Sequence, residues 1–377
     1  MTELLPVFLL SCFLAWLSHI FSPKDDIRNS YIEREKIFFA IMAVMMTVFV
    51  GLRVSYNDTF AYTHAYNMAS VPDSFWGIFK GLKVSSISDH ILYMLIQRIF
   101  KYYGAAPQQY LMFYAVITLV PYLWFINKYS NNIFLSILLT HTLGVYIFCC
   151  AGIKQSAAVA FCLIAVDRYI NKKYISFVVF VFIGILFHPY AFLFYLTPFL
   201  KFVPGSKKTY WMLLLFFVLG IALQPLMGTV INITTMLGEE YTESEMSGAG
   251  VNPFRVAVCN VPLILFLLVK KNIPDDHFTT EKNIILNLTF LNGEIIFVGL
   301  FGTANYFARL ANYFLIFQVL SIPWLLRYID KKYRTLITIA AVILYCLFFY
   351  YQNYIVINFD RFFNRITFMD YLNNYVF

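Results

Sequence analysis

Long apolar runs alternate with short polar connections along the whole of this chain. A membrane-spanning helix needs roughly 20 mainly apolar residues. Runs of that kind recur at Leu4–Phe21, Ile37–Leu52, Tyr110–Ile126, Ile133–Cys149, Ile153–Ile170, Tyr174–Phe187, Ala191–Phe202, Trp211–Val230, Phe254–Val269, Ile284–Phe301, Leu310–Leu326 and Leu336–Tyr351. Two of them, Tyr174–Phe187 and Ala191–Phe202, are short and flank Pro189. They read as one kinked element or as two half-helices. The pattern predicts an all-α polytopic integral membrane protein with about 10–12 transmembrane helices.

The stretch Ile91–Tyr103 is apolar but carries Gln97, Arg98 and Lys101, which suits an interfacial or re-entrant helix better than a span. The first run has Glu3 where a leader would be basic, and no small-residue cleavage site follows it. It is expected to be retained as the first helix. The expectation is thus one transmembrane domain over 1–377, with an outer loop and interfacial helix over 53–108, an acidic outer loop over 231–252 and an extracytoplasmic tail over 352–377.

Composition narrows the class. The chain is 60% apolar and only 13% charged, too apolar for a soluble domain of 377 residues. Its net charge of +8 does not point to nucleic acid, because no basic patch with helical spacing appears and positive-inside bias explains the excess. The connections 22–36, 127–132, 167–173, 201–210, 270–283 and 327–335 hold 18 of the 28 Lys and Arg residues. That side is expected to be cytoplasmic. The acidic cluster Glu239, Glu240, Glu243 and Glu245 falls on the opposite side, as do both termini if the count is twelve. The six cysteines form no CxxC pair and are expected to serve packing.

Few residues remain for chemistry, and most fall on the outer rim. Arg53 and Asp58 lie in Gly51-Leu52-Arg53-Val54-Ser55-Tyr56-Asn57-Asp58, with Tyr62 beyond. Lys154 and Gln155 open the fifth span, His188 precedes Pro189, Arg255 opens the ninth span and Arg309 the eleventh, with Tyr313 after it. Arg361 and Arg365 stand in the tail, spaced to share a face if helical. Each has a bland reading beside the functional one: snorkelling anchors for Arg53 and Arg255, a satisfied backbone carbonyl for His188, a lipid-phosphate anchor for Arg361 and Arg365. Glu294, inside the tenth span, is expected to pair with one of the cations. Taken as a set, cations at a water–lipid boundary suit a phosphate or pyrophosphate, which guanidinium groups bind through paired, charge-assisted hydrogen bonds. No HExxH, DxD, Walker loop or GxSxG occurs, so no resident metal or cofactor is expected.

These residues resemble the EpsG-like branch of the Wzy-type polysaccharide polymerases. The resemblance rests on Gly51-Leu52-Arg53 with Asn57-Asp58 and Tyr62, on Gly152-Ile153-Lys154-Gln155, on Phe187-His188, and on Arg309 with Tyr313-Phe314. The order and spacing of the intervening spans match as well. Lys154 departs from the arginine usual in the family, which keeps the charge but not the bidentate geometry. The resemblance implies a GT-C-like helical glycosyltransferase of the bacterial cytoplasmic membrane, with its active site facing the periplasm or exterior. It would join repeat units carried on undecaprenyl pyrophosphate, moving the growing glycan to the non-reducing end of a new lipid-linked unit. A flippase and a chain-length regulator are the implied protein partners, for capsule, O-antigen or exopolysaccharide. Arg309 and Arg53, then Lys154, are expected to stabilise the leaving pyrophosphate. Asp58 or His188 would act as base. Tyr62 and Tyr313 would contact sugar, and Gln155 and Arg255 are further binding candidates. A GT-C transferase using a polyprenyl-phosphate sugar, an O-antigen ligase, and a flippase or transporter for lipid-linked oligosaccharide are the competing readings.

Overall fold

The computed structural model describes residues 3–21, 34–80, 82, 89–236 and 250–376. The acidic cluster at Glu239–Glu245 and most of the connection 22–36 lie outside the described residues.

The described chain is helical apart from one two-stranded antiparallel ribbon. Each of the twelve apolar runs forms helix, with differences at the ends and in continuity. Pro107–Tyr129, Pro253–Asn272 and Lys331–Val356 are each long and apolar enough to cross a membrane unaided. Three other runs are broken. Ile133–Thr142 and Val145–Ala151 meet at 50°, Lys207–Ala222 and Met227–Met236 at 105°, and Tyr306–Asn312 and Leu315–Leu326 at 56°. The first break is made by Gly144 at φ 87°, a left-handed conformation that a β-carbon would oppose. The second holds Pro225, which lacks an N–H and bars the helical region to Gln224. Pro189–Leu200 is a 3₁₀ helix that follows Tyr174–Phe187, so the half-helix reading of that pair holds. Exposed faces carry Ile175, Leu215, Phe217, Leu336, Leu344 and Leu347, as lipid contact requires.

The chain divides into two compact units. One comprises residues 1–83, 91–163 and 339–377; the other comprises 84–90 and 164–338.

In the first unit, Leu4–Ile20 packs on Arg34–Gly51 and Ile133–Thr142, and Arg34–Gly51 packs on Pro107–Tyr129. Two polar contacts tie these helices: Ser11 Oγ to His141 Nε2 at 2.7 Å, and Tyr146 Oη donating to the Met46 carbonyl at 2.9 Å. Such bonds replace a hydrophobic driving force that is weak inside a bilayer. The tail does not run on as one helix. It forms Phe359–Phe362, a strand at Asn364–Arg365 paired with Arg53–Ser55, and Phe368–Tyr375. Phe363 stacks on Phe49 at 5.0 Å, and Phe359 packs on Tyr56 at 4.7 Å. Arg361 and Arg365 therefore share no helical face. The helix stops at Phe362, Arg365 pairs with Glu3 at 2.7 Å over the Phe49 ring, and Arg361 lies over Phe362.

In the second unit, Thr280–Val298 is the buried centre, packed on Lys207–Ala222, Pro253–Val269, Ala304–Asn312 and Leu315–Leu326. It carries a ladder of amides. Asn287 Nδ2 donates to the carbonyls of Leu200 and Phe202, both at 2.8 Å. Asn292 Nδ2 donates to the Ala311 carbonyl at 2.6 Å, and Gln318 Nε2 donates to Asn292 Oδ1 and to the Cys259 carbonyl, each at 2.6 Å. The Asn292 bond satisfies a carbonyl in the last turn of Ala304–Asn312, at the place where the eleventh run breaks. Arg309 accordingly sits in a short helix that meets Leu315–Leu326 at 56°, not in the first turn of one continuous helix.

Candidate functional site

The sequence-predicted residues fall into two clusters, one in each unit.

The first is built where Arg34–Gly51 ends. Gln108 Nε2 donates to the carbonyls of Gly51 and Arg53, at 2.6 and 3.1 Å, which draws the chain out of the helix into the strand Arg53–Ser55. Arg53 is fully buried, at 0% exposure. Its Nη1 donates to the Val50 carbonyl at 2.6 Å and its Nε to Thr59 Oγ1 at 3.3 Å. Its Nη2 has no hydrogen-bond partner among the described residues. A snorkelling side chain would reach for water, and this one turns inward. Burial pushes its pKa down from the ordinary arginine value, although a guanidinium stays protonated in proteins.

Asn57 adopts φ 45°, a left-handed turn that asparagine tolerates, and delivers Asp58 to the N-cap position of Thr59–Met68. The Asp58 side chain makes no capping bond there and is half-buried. One turn on, Tyr62 is buried, with its ring 5.9 Å from that of Tyr93. Lys154 Nζ lies 5.1 Å over the other ring of that pair, Tyr93, in cation–π geometry. Lys154 and Gln155 stand in the first turn of Ile153–Ile170, both half-buried. Arg53, Tyr62, Tyr93 and Lys154 thus line up within one unit. Tyr93 and Gln108 escape a reading of the sequence. The only signal for Tyr93 is its place in the amphipathic stretch Ile91–Tyr103, and Gln108 merely opens a span after Pro107.

The second cluster gathers around the break at residues 313–314. His188 is buried at the end of Tyr174–Phe187, with extended backbone at φ −156° and ψ 127°. Its Nδ1 lies 2.6 Å from the hydroxyl of Tyr313, which is fully buried. The carbonyl expected as the partner of a bland histidine is instead held by another one: His90 Nδ1 is 2.9 Å from the Phe187 carbonyl oxygen, and the His90 and His188 rings are 5.2 Å apart. Tyr190 packs edge-on against Tyr306 at 5.8 Å. Tyr306, Arg309 and Asn312 follow at three-residue intervals on their helix, so each is the surface neighbour of the next. Arg255 Nη2 donates to Asn312 Oδ1 at 3.2 Å, which brings Arg255 to the same helix end. Arg309 is half-buried and, among the described residues, makes no hydrogen bond or ion pair. Glu294 is buried and likewise forms no ion pair among the described residues, so the pairing with a cation expected of it is not made. His90, Tyr190, Tyr306 and Asn312 were not legible as site residues, because their partners lie far away in the chain, 97 positions for His90 and Phe187.

Chemically, this second cluster combines an arginine without a partner among the described residues, a second arginine hydrogen-bonded to an amide, and a histidine hydrogen-bonded to a tyrosine. Tyr313 Oη and His188 Nδ1 share one hydrogen bond; the tautomer with hydrogen on Nδ1 is the one that leaves Nε2 the lone pair a general base requires. The first cluster offers a buried guanidinium with an unmatched nitrogen, an ammonium over an aromatic face, and a half-buried carboxylate.

A family model described as the EpsG family matches residues 36–371, nearly the whole chain. No curated protein and no solved structure matches it.

Proposed function

The chain belongs to the EpsG family, and from that membership we propose that this integral membrane protein polymerises a surface polysaccharide from lipid-linked repeat units. The donor is the growing glycan on undecaprenyl pyrophosphate. The acceptor is the non-reducing end of a new lipid-linked unit at the outer face of the bacterial cytoplasmic membrane. Family membership supports a glycosyltransferase of polysaccharide-polymerase type. The geometric observation that carries the finer reading is Arg309, without a protein partner among the described residues, on a helix whose end meets the His188–Tyr313 pair.

In the proposed reaction the acceptor hydroxyl gives its proton to a base and its oxygen attacks the anomeric carbon. The bond from that carbon to the pyrophosphate oxygen breaks, and the electron pair leaves with the pyrophosphate. One direct displacement inverts the anomeric centre. Arg309, with Arg255 behind it, is assigned to the developing charge; losing one such donor typically costs about 3–4 kcal/mol. On the other unit, Arg53 and Lys154 are separate candidates for pyrophosphate binding, with Lys154 acting as a point charge. Tyr62, Gln155 and Tyr313 are assigned to the glycan. Asp58 and His188 are the two candidates for the base. No divalent cation is required in this scheme, because the preplaced cations supply the positive charge. In the cell, a flippase delivering the units and a chain-length regulator are the protein partners proposed for it.

The test is reconstitution of the purified protein in liposomes with an undecaprenyl-pyrophosphate-linked repeat unit as sole substrate. A ladder of products spaced by whole repeat units is expected. Addition of a single sugar from a polyprenyl-phosphate donor, or transbilayer movement without any new glycosidic bond, overturns the reading.

A further inference from the structure

We propose that His90 is a positioning residue for His188, acting through the backbone carbonyl that immediately precedes it. This rests on the assignment of His188 to the reaction centre above, and it concerns a residue to which neither the sequence motifs nor that assignment give a role.

Phe187 is the last residue of Tyr174–Phe187, and helix ends leave their final carbonyls without intrahelical partners. Continuation of the helix is barred here, because Pro189 pushes His188 into extended backbone and has no N–H to offer. The Phe187 carbonyl is therefore the hinge from which His188 departs. His90 Nδ1 lies 2.9 Å from that oxygen. A carbonyl can only accept, so Nδ1 of His90 carries the hydrogen and its tautomer is fixed. His90 also stands at φ 50°, a left-handed conformation that costs a residue with a β-carbon about 1 kcal/mol or more. The strained backbone aims the imidazole at the helix end, and its ring then lies 5.2 Å from that of His188, tilted by 33°. His188 is in this way held from two directions. Tyr313 fixes its Nδ1, while His90 fixes the peptide from which the side chain springs and flanks the ring.

The geometry separates three contributions that one substitution would confuse. Asparagine tolerates left-handed backbone, and its Nδ2 occupies the same place along the side chain as histidine Nδ1, so His90→Asn keeps both the turn and the donor. Glycine keeps the turn and loses the donor. Alanine loses both.

The experiment uses the full-length protein in liposomes with the lipid-linked repeat unit, together with ¹⁵N-imidazole spectra of the histidines in detergent micelles. For His90→Gly and His90→Ala, kcat is expected to fall about 10- to 100-fold, as misplacement of a catalytic group does, with KM for the lipid-linked unit unchanged. His90→Asn is expected to recover most of the loss, and the His188 resonance to move in the glycine and alanine variants but not in the asparagine variant. Full kcat in His90→Gly overturns the proposal, because the turn alone then suffices. Equal loss in His90→Asn and His90→Ala overturns it as well, and so does a His188 resonance that moves in none of the three. A wild-type protein that forms no polymer, with the resonance still moving in glycine and returning in asparagine, supports the positioning and overturns the polymerase reading.

Discussion

The Tyr313 hydroxyl lies 2.6 Å from Nδ1 of His188, and both residues are buried although 125 positions separate them. The contact joins a short helix end before a proline to the break between Ala304–Asn312 and Leu315–Leu326. Tyr313→Phe removes the hydroxyl and little else. A neutral hydrogen bond contributes about 1 kcal/mol to stability, so the melting temperature should shift by only a few degrees. Turnover should fall about 10-fold if the bond sets the orientation of His188, since orientation commands larger factors than stability does. Polymerisation kinetics beside a thermal melt of the same preparation check this. Equal, small changes in both would leave Tyr313 a packing residue.

Arg309→Ala should abolish polymer while single repeat units still reach the cell surface. A half-buried guanidinium without a partner among the described residues contributes little to the fold, so the variant should remain folded. Loss of one charge-stabilising donor lowers kcat about 100- to 1000-fold. Arg309→Lys, which keeps charge but not the two-pronged donor, should recover only part of it. Gel analysis of surface glycans gives the answer, and wild-type chain lengths in Arg309→Ala would remove Arg309 from the chemistry.

The base is decided by two conservative changes. The Asp58 side chain makes no capping bond at its N-cap position and is half-buried, so Asp58→Asn should leave the melt unchanged. If Asp58 takes the proton, turnover collapses by about 100-fold or more. If turnover survives, His188→Gln should produce the collapse instead. Initial rates of the two variants on the same lipid-linked substrate discriminate them.

The apolar helices were legible because lipid imposes a rule that acts locally, that about 20 consecutive residues be apolar and helical whatever they later touch; three helices meet it outright, six if each bent pair is one span. Family resemblance was legible for a different reason, since its motifs are short and contiguous, as at Gly51-Leu52-Arg53 and Gly152-Ile153-Lys154-Gln155. Breaks were harder. At the break after Asn312 the Ala311 carbonyl accepts both the Phe314 N–H and an amide of Asn292, and the second is a contact between separate helices that no local pattern encodes. The i, i+4 spacing of Arg361 and Arg365 misled because it presumes a helix, and the chain turns at Phe363 to pair with Arg53–Ser55. Tyr93, Gln108 and His90 share one trait: each acts on a segment far from it in the chain.

Gln108 provides the remaining prediction. Its amide nitrogen serves the carbonyls of both Gly51 and Arg53, at the point where an apolar helix becomes the strand that carries Arg53. Gln108 is itself buried, so water cannot replace the lost donor in Gln108→Leu. A buried carbonyl left without a donor costs about 1–3 kcal/mol, and leucine returns part of that through apolar contact. The thermal melt in detergent should drop by several degrees. Because the Arg53 backbone is released with it, affinity for the lipid-linked unit should fall as well, with KM rising more than kcat falls. A melt and a KM both at wild-type values would show that the helix end is held without Gln108, by the Leu52 N–H to Val48 carbonyl bond and by pairing with the tail strand.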